Sequence, residues 1–373
     1  MSANPDVAAA VTAGAFSSAL DHFITFGQSE SREGSGVTIV PVTGSTLTLT
    51  NGADVGASFQ GTANGDTFDG SLNANGTQTL TTLDSLDGGA GVDSVTGVFN
   101  TAGTVAATLT NIENITVTST AAVTLDLVNA KEVVSVTSTG TTAAFTINNI
   151  PSPATTITIS NTGQNHTIDY LNSGVTGSAD TATVNVANVT AGTLAMDNSI
   201  ESLTISSGTS ANTVAAITGD YDTLTIAGDS NLTITAADTD AETIDASGFS
   251  GGLTMTTNNT SATTVTGGAG NDAITAQGGT AILETISGGA GNDTITFTAN
   301  LAATDVVNGG DGTDTLAGLS ANLRALTSAS TNISNFETVR VTDALGGDLT
   351  VANVQAGIDT CLLYASPSPR DNR

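Results

Sequence analysis

Cysteine, aromatic residues and positive charge are all scarce in this chain of 373 residues. Its single cysteine excludes an internal disulfide. Only 3% of the residues are aromatic and none is tryptophan, which is little for a compact globular core of this length. No run of about 18 apolar residues occurs, so no membrane-spanning helix is predicted. The N-terminal sequence lacks a basic region followed by an apolar segment, so it does not resemble a Sec signal peptide.

The shortage of positive charge also limits the possible partners. The chain has 35 acidic residues against 6 basic ones, a formal net charge of −29. Proteins that bind DNA or RNA need a basic surface, so nucleic acid is excluded as a partner, and anionic membranes are disfavoured. A multivalent cation is favoured instead, because self-repulsion destabilises a compact acidic chain until counter-charge binds. A merely soluble acidic surface is the alternative interpretation.

Glycine is abundant, with 42 residues, and threonine, serine and asparagine supply much of the polar surface. Threonine beside valine and isoleucine favours strands. From about Val37 short segments with apolar residues at every second position recur, each bounded by Gly, Asn, Asp or Ser. These segments are TLTLT, ITVTST, VVSVTST, TITIS, TVNVANV, SLTIS and TLTIAG. Their centres lie about 19 to 27 residues apart, which favours one coil of a β-solenoid per step over a sandwich or barrel.

The two ends of the chain depart from this pattern. Residues 4–30 are predicted to be helical, because Asn4 and Pro5 suit a helix start and apolar residues recur at helical spacing. Residues 1–35 are therefore interpreted as a helical module with its linker, and residues 36–360 as the solenoid. Residues 361–373, CLLYASPSPRDNR, resemble the translation of a sequencing adapter. We interpret them as read-through, so that Cys361 has no function and the natural C-terminus is missing.

The clearest repeat is a glycine-rich turn that ends in aspartate and returns every 21 residues. The three copies are GGAGND at 267–272, GGAGND at 288–293 and GGDGTD at 309–314. Each is followed by a strand pattern whose apolar position should point into the coil. These apolar residues are Ile274, Ile295 and Leu316. If one repeat forms one coil, the three turns stack along one edge of the solenoid.

Stacked turns of this kind are typical of a calcium site. Glycines allow left-handed backbone angles that bring carbonyl oxygens inward, and the aspartate adds a carboxylate oxygen. Because Ca²⁺ takes six to eight oxygens, one turn offers too few, whereas two turns one coil apart can share an ion. The pattern G-G-x-G-x-D-x-U-x, with U apolar, is a known calcium-binding repeat, and three turns would form two sites. The predicted ligands are Gly267, Gly268, Gly270, Asp272, Gly288, Gly289, Gly291, Asp293, Gly309, Gly310, Gly312 and Asp314.

Two upstream segments repeat the turn less completely. GGAGVDSVT at 88–96 fits the pattern with Val95 as the apolar residue, and GTANGDTF at 61–68 is a degenerate copy. Asp66 and Asp93 lie 27 residues apart, one coil plus an insertion, and are predicted to flank a further calcium site. For a lone glycine-rich turn, the alternative is simply a turn.

Little in the sequence supports catalysis. GFSGG matches the nucleophile elbow G-x-S-x-G, but that motif needs a following helix and a downstream histidine. After Ser250 the pattern predicts a strand, and both histidines, His22 and His166, lie upstream. His166 is predicted to be a surface residue, and the acidic pair Asp220 and Asp222 to be solvated turn residues and not a hydrolase dyad. We therefore predict that the chain is not an enzyme.

These motifs together resemble a known family. The glycine-rich turns are similar to those of RTX (repeats-in-toxin) proteins, which are exported by type I secretion. The set VTGSTLTLTNGAD, GTANGDTF, LDGGAGVDSVTG, LTNIENITVTS, GGAGND, VNGGDGTDTL and NFETVRV is similar to the RTX surface-layer (S-layer) proteins of Gram-negative bacteria, over residues 40–345. The resemblance implies a mostly β fold, a right-handed parallel β-solenoid with β-roll-like calcium turns, preceded by a short helical segment.

The same resemblance implies a function. The chain would be secreted, fold on Ca²⁺ outside the cell, and self-assemble into a lattice as a structural component of the cell surface. In the family an N-terminal helical region can anchor the layer to lipopolysaccharide, which is therefore a candidate partner, although that region is far shorter here. The alternatives are an RTX adhesin, or the non-catalytic repeat region of a secreted RTX enzyme or toxin.

Overall fold

A computed structural model of the protein describes residues 44–237, 241–257, 262–276, 283–299, 301–302, 304–326, 331–358 and 360–363. In these ranges nearly all regular structure is short parallel strands, which stack into a β-solenoid of about 14 turns. The predicted solenoid is therefore confirmed. The predicted helical segment at 4–30 lies outside the described residues. Within them, no helix combines the length and the apolar character that crossing a bilayer requires.

Strands follow one another with few other elements between them. In chain order they are β1 (Thr46–Thr48), β2 (Thr67–Gly70), β3 (Ser85–Asp87), β4 (Ser94–Phe99), β5 (Gly103–Val105), β6 (Thr108–Thr110), β7 (Asn114–Ser119), β8 (Val123–Asp126), β9 (Ser135–Thr139), β10 (Phe145–Ile150), β11 (Thr156–Thr162), β12 (His166–Tyr170), β13 (Thr181–Val189), β14 (Thr193–Met196), β15 (Ser202–Gly208), β16 (Asn212–Thr218), β17 (Thr223–Gly228), β18 (Leu232–Ala236), β19 (Thr243–Asp245), β20 (Leu253–Thr256), β21 (Thr263–Thr266), β22 (Ala273–Ala276), β23 (Glu284–Ser287), β24 (Thr294–Phe297), β25 (Val306–Asn308), β26 (Thr315–Gly318), β27 (Ile333–Ser334), β28 (Thr338–Val341) and β29 (Thr360–Leu362). The other elements are a short helix α1 (Ser320–Ala325) and 3₁₀ turns at Gly56–Phe59 and Val351–Asn353.

The strands build two long parallel sheets and a small one. Sheet 1 contains β1, β2, β4, β7 and the odd-numbered strands from β9 to β27. Sheet 2 contains β5, β8, the even-numbered strands from β10 to β28, and β29. In addition, β3 pairs with β6. Because the chain alternates between the long sheets, most coils add one strand to each of them, and this explains the regular step of the sequence pattern.

The core lies between the sheets and follows from alternation along each strand. In β11, Ile157 points inward and is fully buried, whereas Thr158 stays on the outer face. The apolar residues after the glycine turns, Ile274, Ile295 and Leu316, are in register and at most 1% exposed. Their predicted inward orientation is confirmed. Burying each such side chain contributes about 1.5–3 kcal/mol.

His166 is buried, so its predicted surface position is wrong. Its ring is 2% exposed, with Nε2 2.9 Å from Oγ of Ser138 and Nδ1 3.0 Å from the carbonyl oxygen of Gln164. The alternation of β12 that places Ile168 and Tyr170 inside places His166 inside as well. Burial lowers the pKa of His166, and the hydrogen bond to Gln164 opposes this shift only in part.

Candidate metal centre

The aspartate-ended turns form two stacks at different edges of the solenoid. In the C-terminal stack, turns 267–272, 288–293 and 309–314 each connect a strand of sheet 1 to a strand of sheet 2. The flanking strands are in register, so the three turns lie in successive coils. In the N-terminal stack, turns 61–66 and 88–93 each precede a strand of sheet 1, β2 and β4, which pair with each other.

Close stacking of the backbones explains why glycine occupies these turn positions. A β-carbon on Gly288 would lie closer than 3.0 Å to the carbonyl oxygen of Gly309, and one on Gly309 equally close to that of Asn335. The second and fourth residues of turn 288–293 have left-handed backbones, with φ of +100° at Gly289 and +120° at Gly291. Only glycine adopts such angles without strain, so the spacing of the glycines is set by the geometry of the stack.

Hydrogen bonds join the aspartates into a ladder from coil to coil. The backbone N–H of Asp272 donates to Oδ1 of Asp293 (2.8 Å), and that of Asp293 donates to Oδ1 of Asp314 (2.7 Å). In the N-terminal stack the N–H of Asp66 donates to Oδ1 of Asp93 (2.6 Å). All five side chains are at most 2% exposed. Oδ1 of each of these acceptors thus accepts an N–H of the preceding coil, and the ladder does not use Oδ2.

The second carboxylate oxygen divides these aspartates into two groups. In the first turn of each stack, Oδ2 accepts an N–H of its own turn: Gly268 donates to Asp272, and Thr62 donates to Asp66. In the later turns, Oδ2 is buried without a hydrogen-bond partner among the described residues. These later aspartates are Asp93, Asp293 and Asp314. A buried, unpaired carboxylate oxygen is strongly destabilising unless a cation or a proton neutralises it.

Backbone conformation separates the same two groups. In turns 88–93, 288–293 and 309–314 the second and fourth residues are glycines with positive φ. Gly268 and Gly270 of the first C-terminal turn lack positive φ, although the sequence of that turn is identical to that of the second. The N–H of the second turn residue donates to Oδ2 of the aspartate only in the turns whose second residue lacks a positive φ. The three later turns therefore share one conformation that leaves a carboxylate oxygen free.

Carbonyl oxygens of the next coil face the free carboxylate oxygens. Oδ2 of Asp293 and the carbonyl oxygen of Gly309 both lie within 3.0 Å of the position that a β-carbon on Gly288 would occupy. Carboxylate and carbonyl oxygens are the ligands that Ca²⁺ prefers. Across the described ranges, no three His, Cys, Asp or Glu side chains converge on one point. An ion bound to these turns would thus depend on backbone carbonyls for most of its ligands, and the glycine-rich turns fit that requirement.

Burial and mutual repulsion shift the pKa values of these aspartates. The pKa of Asp293 rises to about 6, mainly through burial and further through the negative charges of Asp272 and Asp314 on either side. Burial likewise raises the pKa of Asp93, Asp272 and Asp314. For Asp66, burial is outweighed by the hydrogen bonds of its own turn and of the preceding coil, and the pKa falls. The later turns thus favour either a bound proton or a bound cation.

These shifts predict a pH dependence that changes sign with calcium. An aspartate whose pKa is raised on folding stabilises the fold below its unfolded value of 3.8, and this contribution is lost as pH rises through about 6. In chelator, the fraction of folded chain should therefore rise as pH falls from about 7 to about 5. In millimolar Ca²⁺ the thermal midpoint should fall over the same interval, because protons compete with the ion for the carboxylates.

Far-UV circular dichroism in chelator and thermal unfolding in calcium, each measured across this pH interval, would test the reversal. Asp293→Asn removes the most strongly shifted group and should flatten both trends. A β signal in chelator that does not increase on acidification would contradict the expected protonation of these side chains.

A glutamate ends each ladder, and the sequence interpretation missed it. The N–H of Asp93 donates to Oε2 of Glu113, and the N–H of Asp314 donates to Oε2 of Glu337, both at 2.7 Å. The available signal was the pair of similar strings NIE and NFE one coil after the last turn of each stack. Their different distances from the preceding aspartate, 20 and 23 residues, hide them from a search at a fixed step of 21.

The structure around Ser250 confirms the prediction that a strand follows it. Its N–H and Oγ lie 3.2 and 3.4 Å from the carbonyl oxygen of Gly228, in the turn before β20. A strand follows, as predicted, where the nucleophile elbow requires a helix. Asp220 and Asp222 are exposed, as predicted for turn residues.

Comparison with models of known protein families found no match for this chain. A comparison with curated proteins also found none. A functional interpretation therefore depends on the turn motifs and on their geometry.

Proposed function

We propose that this protein is a structural component of a bacterial surface layer that binds Ca²⁺, folds outside the cell and assembles with copies of itself. The observation that carries the proposal is the set of buried carboxylate oxygens without partners at Asp93, Asp293 and Asp314. These oxygens, with backbone carbonyl oxygens of the adjacent coils, would hold the ions. Calcium would supply the positive charge that the chain lacks, since no basic residue lies between Lys131 and Arg324.

Calcium would also determine where the chain folds. In a calcium-poor cytosol, repulsion among buried carboxylates would oppose folding and favour export of an unfolded chain. At extracellular calcium levels, binding would shift the equilibrium toward the folded solenoid by mass action. Each site at a hundredfold excess of calcium over its Kd would contribute about 2.7 kcal/mol.

An uncharged outer face of sheet 1 supports self-association. From β4 to β17, a fully described part of the chain, the outward positions carry Thr, Ser, Asn, Ala, Gly and one Val, with no charged residue. One register column consists of Thr96, Thr116, Thr137, Thr158, Asn185 and Ser206. Two copies of a strongly acidic protein can meet at such a face without like-charge repulsion.

Negative-stain electron microscopy of the full chain, in millimolar calcium and in chelator, tests the proposal. We expect ordered sheets only in calcium. Thr137→Glu on the uncharged face should leave separate rods in calcium, whereas the control Thr254→Glu on the outer face of sheet 2 should still form sheets. Rods without sheets from the unaltered chain would favour the adhesin instead, and identical particles in both conditions would contradict the calcium argument.

A further inference from the structure

We propose that each stack of glycine turns ends in a terminal cation site that is closed by an Asn-x-Glu segment of the next coil. The two segments are Asn111–Ile112–Glu113, after turn 88–93, and Asn335–Phe336–Glu337, after turn 309–314. Neither contains the glycine-rich repeat, so neither is predicted to bind metal by that pattern. The inference rests on the proposed calcium binding and adds ligands to it.

In both segments, asparagine takes the place of the first glycine of a turn. Its backbone is left-handed, with φ of +51° at Asn111 and +59° at Asn335. Asparagine adopts this region more readily than other side-chain-bearing residues. Its carbonyl oxygen faces the first glycine of the preceding turn, closer than 3.0 Å to a β-carbon built on Gly88 or Gly309. Within the stack, the carbonyl oxygen of Gly309 lies in the same way, closer than 3.0 Å to a β-carbon built on Gly288.

The asparagine side chains hold this arrangement in place. Nδ2 of Asn111 donates to Oδ1 of Asp87, and Nδ2 of Asn335 donates to Oδ1 of Asn308, both at 2.8 Å. Both acceptors immediately precede the first glycine of the turn. Each asparagine thereby fixes its left-handed carbonyl opposite the last turn of the stack.

Glutamate takes the place of the aspartate in the ladder. Oε2 of Glu113 accepts from Asp93, and Oε2 of Glu337 accepts from Asp314, as described above. The aspartates that they bond are 0% exposed, and each carries an Oδ2 without a partner. This Oδ2 and the asparagine carbonyl lie within 3.0 Å of the same β-carbon position, on Gly88 or on Gly309.

A purely structural cap would not need this charge. Glutamine would accept the same N–H and would avoid placing a second negative charge beside a buried carboxylate. The negative charge of Glu113 in fact raises the pKa of Asp93, after burial, and that of Glu337 raises the pKa of Asp314. A bound cation turns this repulsion into attraction. The same combination of Asp, left-handed Asn and Glu occurs at two separate edges of the solenoid, which argues against coincidence.

Another ladder pair offers a matched control. The N–H of Asp180 donates to Oε2 of Glu201 at the same 2.7 Å. No residue from 176 to 179 has a positive φ, and no left-handed asparagine precedes Glu201 in its coil segment 198–200. Oδ2 of Asp180 is also buried without a hydrogen-bond partner among the described residues. Glu201 thus shares with Glu113 and Glu337 both the ladder bond and an aspartate with an unpaired oxygen, and lacks only the carbonyl arrangement.

The test is calcium bound per chain, measured by equilibrium dialysis of the full chain. Glu113→Gln and Glu337→Gln should each lose one ion, or bind one ion about tenfold more weakly. The double variant should lose two, and Glu201→Gln should keep the original number. Because glutamine still accepts the N–H, far-UV circular dichroism in calcium should show an unchanged β signal.

The other possible results separate a failure of the terminal sites from a failure of the proposed function. Unchanged calcium binding in Glu113→Gln and Glu337→Gln would overturn the terminal sites and leave the glycine-turn sites intact, whereas an unaltered chain that binds no calcium would overturn the proposed function itself. An equal loss in Glu201→Gln would show that any ladder carboxylate contributes. A glutamine variant with a weak β signal should regain it at higher calcium. If no calcium concentration restores the signal, the glutamate is a structural requirement and the cation role is wrong.

Discussion

Removal of calcium should abolish most of the regular structure of this protein. The reason is that Asp93, Asp293 and Asp314 each bury a carboxylate oxygen without a partner, and that the ladder places further carboxylates beside them. Domains are stable by only about 5–15 kcal/mol. Three ions at a hundredfold excess over Kd would contribute a comparable amount, so their loss should unfold the chain.

Far-UV circular dichroism at neutral pH measures this directly. The β signal of the full chain should be largely lost in chelator and should return when calcium is added back in excess. Magnesium at the same concentration is the control, because it demands octahedral geometry and gives up its waters reluctantly, so a ring of glycine carbonyls should not bind it. A β signal that persists unchanged in chelator would show that the buried carboxylates are neutralised by protons alone.

The sequence predicted one long sheet better than the other. All seven segments recognised by alternation belong to sheet 1, where β15 alternates throughout and β11 alternates over residues 156–160, before Asn161 with a φ of +53°. In β10 of sheet 2 the alternation covers only residues 145–148, because the pairing shifts register between Ile147 and Ile150, where Asn149 has a φ of +54°. A bulge of this kind removes the period of two on which the strand prediction depends.

The position of the glycine-rich turns could be predicted, but the difference in conformation between them could not. Turns 267–272 and 288–293 have the same sequence, yet only the first has a hydrogen bond to Oδ2 of its aspartate. There the N–H of Gly268 donates to Oδ2 of Asp272, whereas Oδ2 of Asp293 has no partner among the described residues. The difference depends on the coil before. Ala290 donates its N–H to Gly268, within another glycine turn, whereas Ala269 donates to the carbonyl oxygen of Phe249, where no such turn exists. The conformation of a repeat is therefore set partly by its neighbour, which the repeat itself does not encode.

Gly310→Ala should be among the most destabilising substitutions at the surface of the solenoid. Gly310 has a φ of +107°, and a β-carbon there would lie closer than 3.0 Å to the carbonyl oxygen of Gly289. That oxygen belongs to the backbone and accepts the N–H of Asp311, so it cannot move away without breaking the stack. Backbone strain and the clash together should cost about 3 kcal/mol or more, even in saturating calcium.

Urea unfolding in millimolar calcium would measure the loss, with Gly248→Ala as the control. Gly248 also lies in a turn, but it has no positive φ and no atom within 4 Å of an added β-carbon, so alanine should change stability by less than about 1 kcal/mol. If the two variants are equally stable, the turns cannot be stacked as closely as described. The carbonyl oxygens would then be too far apart to share an ion between coils, so this substitution tests the geometry of the proposed calcium site without altering any carboxylate.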